Sequence, residues 1–254
     1  MYALMIYAIA GLGAGIGTGL AGLSAASVIS PMLICFLNFN PYHAVGIALA
    51  SDVLASAACA YTYYKNGNID MKYGRYMLIS VLCMTMVGSY VASLVSQTTM
   101  GNLSVYMTMF LGIKFIVKPV MQTSETLNKK TVRERIIQSI LCGMMIGFIC
   151  GFIGAGGGMM MLMILTMVIG YELKIAVGTS VFIMAFTALT GAVSHFMIGG
   201  MPHLIALVTC IIFTLAGALL AAKFANKAEP KKLNQVTGVV LFVLGLSMLI
   251  FKLL

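Results

Sequence analysis

Charge is scarce in this chain and tryptophan is absent: 8% of its 254 residues are Asp, Glu, Lys or Arg, and only six are acidic. An ordinary soluble domain carries about a quarter charged residues. With 61% hydrophobic residues and a mean hydropathy of +1.05, the apolar excess is more than a soluble fold of this length can bury. This excludes an extramembrane enzyme domain, a nucleic-acid-binding module and a secreted disulfide scaffold. Cysteine is sparse and scattered. Cys35, Cys59, Cys83, Cys142, Cys150 and Cys210 stand singly in apolar runs without a CxxC spacing, so neither a metal site nor a disulfide framework is expected. The 22 methionines have no accompanying polar ligands and read as packing or lipid-facing residues. HExxH, GxSxG and paired intramembrane carboxylates are missing as well. No cofactor and no enzymatic activity are expected.

What is present is hydrophobic sequence in long runs. At about 20 apolar residues per spanning helix, the chain has room for about eight spans and little else. Its net charge of +9 is better read by position than by sum. Twelve of the 15 basic residues fall in three short polar stretches: Lys65, Lys72 and Arg75; Lys118, Lys129, Lys130, Arg133 and Arg135; and Lys223, Lys227, Lys231 and Lys232. The connections at 96–103 and 198–203 have no Lys or Arg. By the positive-inside rule the basic loops are cytoplasmic, in a multi-pass protein of the cell membrane. The first residues, MYALMIYAIAGLGAG, lack the basic n-region of a signal peptide and are expected to stay as a first membrane helix.

Breakers divide the chain into ten apolar pieces, five on each side of a polar stretch at 122–135. A shift of 132 residues superposes Gly15, Gly19 and Gly22 on Gly147, Gly151 and Gly154. It also superposes Ala44-Val45-Gly46 on Ala176-Val177-Gly178. The expected organisation is a membrane repeat over 1–119, a cytoplasmic linker over 120–135 and a second repeat over 136–254. The loop at 65–75 is basic while its repeat partner is uncharged, and the uncharged loop at 96–103 has a basic partner. The repeats therefore have opposite topology. Fold class follows: an all-α polytopic membrane protein of two inverted repeats, each with a glycine-broken, re-entrant-like helix pair and three spanning helices. Inverted repeats with interrupted helices are a recurrent plan of secondary transporters.

The breaks carry the chemistry. In the second half, GFIGAGGGMMM (Gly151 to Met161) leads into a piece too short to span a bilayer, which implies a re-entrant hairpin. The first half has Gly22-Leu23-Ser24-Ala25-Ala26-Ser27 at the same place, then Pro31. A helix that starts inside the membrane offers free N–H groups and about half a positive charge, an anion site without a side-chain cation. The candidate substrate-binding residues are thus Ser24, Ala25 and Ser27 in one half and Gly156, Gly157 and Gly158 in the other. Gly15, Gly19, Gly147 and Gly151, spaced by four, read instead as close helix packing.

The pairing of GFIGAGGG with AVGTS (Ala176 to Ser180) resembles the sulfite exporter TauE/SafE family of membrane anion permeases, and the likeness covers both halves. The family's pattern runs on from the glycines to a proline; Pro31 supplies it in the first half, and Met163 stands there in the second. The resemblance implies a small inorganic or organosulfur anion such as sulfite or a sulfonate as substrate.

Asp52 is the sole carboxylate well inside an apolar run, and a carboxylate there is a functional hypothesis by default. It either carries a coupling proton alongside the anion, bonds a neighbouring helix, or contacts a cation. Thr179 and Ser180 are candidates to line the substrate cavity, although membrane hydroxyls also bond their own backbone. Asn38 and Asn40, ahead of Pro41, read as helix caps. His43, His195 and His203 stand apart from carboxylates and read as surface or packing residues. Two functions compete. One is alternating-access permeation of a small oxyanion; the other is a membrane scaffold or assembly subunit that transports nothing.

Overall fold

A computed structural model describes residues 2–96, 98–100, 132–154 and 157–225, with 102, 103, 106, 113 and 239 as isolated positions. The linker over 120–131, most of the fifth and tenth apolar pieces, Lys118, Lys129, Lys130 and the basic residues beyond Ala225 lie outside the described residues. So does Gly156.

The described residues are helical, without a strand. In chain order they form α1 (Tyr2–Ala21), α2 (Ala26–Leu37), α3 (Pro41–Lys65), α4 (Met71–Leu94), α5 (Val132–Ile153), α6 (Gly157–Met163, continued by a π-helical segment Ile164–Ile169), α7 (Leu173–Gly199) and α8 (Leu204–Ala225). Six of these, all but α2 and α6, contain stretches long and apolar enough to cross a bilayer. Their outward faces carry large apolar side chains such as Tyr61, Ile79, Leu94 and Leu220, the surface that a lipid solvent selects. The chain is a polytopic membrane protein.

Local chemistry sets the ends of the short helices. α1 stops at Gly22 and α5 at Gly154, both with positive φ (+65° and +71°), a conformation that only glycine adopts without strain. α2 ends on Asn38 and α6 on Gly170, each in the left-handed region and each donating its N–H five residues back, to the carbonyls of Leu33 and Leu165. These paired features are all 132 residues apart. α1 and α5 end at 21 and 153, α2 and α6 at 37 and 169, and α3 and α7 begin at 41 and 173.

Small residues decide the packing. Gly11, Gly15 and Gly19 of α1 lie on the backbone of α8 at Cys210, Thr214 and Ala218, so the two helices run parallel. Gly143, Gly147 and Gly151 of α5 lie in the same way on Met77, Val81 and Thr85 of α4. α3 and α7 instead run antiparallel, with Gly46 against His195 and Phe196 and Gly178 against Tyr63 and Asn68. Without a hydrophobic drive between helices in lipid, such backbone-to-backbone contact is what holds them. Lys65 and Lys72 mark one end of this bundle. The opposite end gathers Tyr7, Phe39 and His203, with ring centroids 6.2 and 6.1 Å apart along the series.

Candidate functional site

The two breaks meet inside the bundle. The α-carbon of Gly158 faces the backbone of Gly22, Leu23 and Ser24 so closely that a side chain has no room. The Ser24 hydroxyl donates to the carbonyl of Gly154 at 3.3 Å, a bond across 130 residues of sequence. Each break glycine also rests on the other half's AVG motif. A Cβ on Gly22 would fall 3.4 Å from Val177, and one on Gly154 would fall 2.6 Å from Val45. The motif therefore serves as the seat of the opposite break.

Asp52 is fully buried and reaches this junction. Its Oδ2 accepts the Ala25 N–H at 3.0 Å, and its Oδ1 accepts the Ser56 hydroxyl at 2.7 Å. The remaining N–H groups at the start of α2 are also engaged. That of Ala26 goes to Ser24 Oγ at 3.3 Å, and that of Ser27 goes to the Ser24 carbonyl at 3.0 Å. The N–H groups of Ala25 and Ser27, two of the expected donors, are therefore taken up within the protein in this conformation. The carboxyl group of Asp52 thus occupies the N-terminus of α2, where a helix dipole favours negative charge.

In the second half Gly157 and Gly158 are buried at the start of α6. A Cβ on Gly157 would fall 2.9 Å from the sulfur of Cys150, so this glycine faces α5 rather than open space. The two hydroxyls of AVGTS part company. Ser180 lies against Gly22 and donates to the carbonyl of Val177 at 2.8 Å. Thr179 Oγ1 accepts the N–H of Asp70 at 3.0 Å, and Asp70 in turn accepts the Tyr171 hydroxyl at 2.7 Å. Thr179 thus ties down the connection between α3 and α4 instead of joining the break. Asn40 caps α3, accepting the Tyr42 N–H at 2.9 Å, as its place before Pro41 suggests.

His195 has more to do than fill space. Buried on α7, it stacks on Tyr42 with centroids 4.2 Å apart, and its two ring nitrogens face the carbonyls of Tyr42 (3.2 Å) and Gly151 (3.0 Å). A neutral imidazole has one N–H, so only an imidazolium donates to both. The ring bridges the start of α3 to the last turn before the second break. The repeat offset foretells this position: 132 residues earlier stands Tyr63, whose hydroxyl donates to the carbonyl of Gly19 at 3.4 Å, and Gly19 is the counterpart of Gly151.

This constellation of two broken helices seated on AVG motifs extends over both halves, and so does the match to a known family. The model of the family described as Sulfite exporter TauE/SafE matches residues 7–248. The chain belongs to this family. It is similar to the probable membrane transporter protein YunE of Bacillus subtilis (strain 168), at 25% identity over 265 residues, covering 96% of this chain and 97% of that protein. The probable membrane transporter protein MJ0441 of Methanocaldococcus jannaschii is 27% identical over 263 residues, with 97% and 96% covered. As a TauE/SafE member the protein is a membrane transporter, and the likeness runs the length of the relatives, not only through the glycine-rich break.

Proposed function

We propose that the protein is a secondary transporter of a small sulfur-containing anion, sulfite or a sulfonate, working by alternating access between two inverted repeats over 1–119 and 136–254. The observation that carries this reading is the meeting of the two glycine breaks at Gly158 and Gly22–Ser24, with Asp52 held at the N-terminus of α2. Inversion is supported by the packing. α1 begins at the Phe39 end, whereas α5 finishes at that end, beside His195 and Tyr42. The basic ends at Lys65 and Lys72 are assigned to the cytoplasm and the Phe39 end to the outside of the cell membrane. The substrate class comes from the family description.

Asp52 gives the mechanism its coupling. An anion that approaches Ala25 meets a carboxylate already bonded there, and two like charges at one buried site repel strongly. The anion binds when Asp52 takes up a proton or releases the Ala25 N–H, so loading anion and proton together is the economical course. Gly156, Gly157 and Gly158 are proposed to supply the second half's share of the site. A panel of sulfite, sulfate, thiosulfate and short sulfonates, assayed for saturable flux in liposomes, tests the reading. Flux of none of them would favour a non-transporting scaffold.

A further inference from the structure

A cavity of about 420 Å³ opens at the end of the bundle opposite Lys65, beside Asn40, Tyr42, His43, Ser93 and Gly199. That volume is ample for a small solute, within the range of about 300–1,000 Å³ usual for ligand sites. Its polar side offers the Asn40 amide and the His43 imidazole. The Asn40 oxygen is taken up by the Tyr42 N–H, and the amide nitrogen has no bonding partner among the described residues. The His43 imidazole has no bonding partner among the described residues and is half-buried. Among the described residues no Asp or Glu lines the cavity, and the first turn of α3, the positive end of a 25-residue helix, borders it. The opposite wall is apolar, formed by Val95, Met100 and Ile198. Tyr42 forms the inner side, and directly behind it lie His195 and the carbonyl of Gly151, three residues before the second break.

We propose that this cavity is an outer anion port, the station at which a sulfur oxyanion is loaded or released before or after it passes the Tyr42–His195 pair. Asn40 and His43 hold its oxygens, and the apolar wall accepts the carbon end of an organic sulfonate. This rests on the reading of the chain as an anion transporter. Donors without carboxylates select for negative charge, and an apolar wall across from them orients an amphipathic anion. The port is separate from the junction of the breaks, since none of its lining residues belongs to 22–27 or 154–158.

The test uses Asn40→Asp, which keeps the helix cap, because Asp is as good an N-cap as Asn, yet places a carboxylate in the port. Flux of sulfite and of methanesulfonate is measured in vesicles of fixed orientation, started from either side. The half-saturating concentration should rise about tenfold or more from the Asn40 side and stay unchanged from the Lys65 side, as expected when a charged hydrogen bond is replaced by repulsion. His43→Leu should raise it from the same side only, and His43→Gln should restore part of the loss. Methanesulfonate should be affected by Ile198→Ser, and sulfite much less. Wild-type half-saturation from the Asn40 side in both Asn40→Asp and His43→Leu would overturn the port while leaving transport standing. Equal losses from both sides would also overturn it, since they mark a structural effect. A wild-type protein with no saturable flux would overturn the transport reading beneath it.

Discussion

Replacing Asp52 by Asn changes one atom at the most constrained polar group in the bundle. The retained oxygen can still accept the Ala25 N–H, now 3.0 Å from the carboxylate, and the new amide can donate to Ser56 Oγ, now at 2.7 Å. Both contacts survive with their charge removed. A hydrogen bond to a charged group contributes about 1.5–3 kcal/mol against about 0.5–1.5 for a neutral one. The loss over two bonds is thus about 2 kcal/mol, and relief from burying a lone charge offsets part of it. The ratio of folded to unfolded protein should fall by no more than about thirtyfold. Asp52→Ala, by contrast, orphans the Ala25 N–H at a cost of about 1–3 kcal/mol with no compensation. The assay is paired. Anion counterflow, which needs no net proton movement, should persist in Asp52→Asn. Net flux driven by a pH gradient should lose its dependence on that gradient. In the wild type, net flux should be fastest from the acid side to the alkaline side, as the proposed joint movement of anion and proton requires. An Asp52→Asn protein that still answers the gradient would refute proton carriage at Asp52, and one that fails to fold would show that the carboxylate's role is structural.

The other predictions concern packing, the second break, the bridge at His195 and orientation. Gly147→Ala puts a methyl 2.8 Å from Val81 Cα, where only backbone can yield, so thermal stability should drop by about 1–3 kcal/mol with flux per folded molecule unchanged; Gly13→Ala, whose methyl would lie 3.7 Å from Val28, serves as the harmless control. Gly157→Val collides with Cys150, so it should lower both folded yield and flux. Cys150→Ala in the same chain should recover yield but not flux, and recovery of both would remove Gly157 from the substrate site. His195→Leu strips the donor that faces Tyr42 and Gly151 and should cost about 1–3 kcal/mol by thermal denaturation; a stability equal to wild type would show that the bridge holds nothing. In intact cells an impermeant thiol reagent should label His203→Cys and miss Lys72→Cys, and the reverse would invert the assigned orientation.

Much of the fold is legible in the sequence because glycine and charge are local signals. The breaks at Gly22 and Gly154 and the caps Asn38 and Asn40 follow from backbone preferences that need no tertiary knowledge, and the 132-residue shift relates the helix ends of the two halves to the residue. The partners of polar groups are another matter. Asp52 is conspicuous as a lone carboxylate, but its bond to the Ala25 N–H depends on how α3 packs beside the first break, which hydropathy does not encode. Thr179 and Ser180 are neighbours in sequence and diverge in space because successive residues on a helix point about 100° apart. One reaches the Asp70 connection and the other the break. The port at Asn40 and His43 draws on three segments far apart in the chain, none of which carries a motif. His195 was readable only through its repeat partner Tyr63.

The place where the two halves cease to match has the largest consequence. Their helix ends, C-caps, packing glycines and seats on Val45 and Val177 coincide, and in the proposed alternating-access mechanism the oppositely facing state arises by exchange of the halves' conformations. Asp52 breaks that equivalence, because its counterpart is Met184, a buried thioether unable to accept an N–H as a carboxylate does. The bond that Asp52 makes to Ala25 in the first half has no analogue at Gly157 in the second. In the alternating-access mechanism we propose, two otherwise symmetric states would differ by the worth of that one charged hydrogen bond, about 1.5–3 kcal/mol, a population ratio of about ten or more. Protonating Asp52 weakens that bond and moves the states toward equality. In the mechanism we propose, a single proton on Asp52 biases which side the substrate site faces, through the asymmetry between Asp52 and Met184.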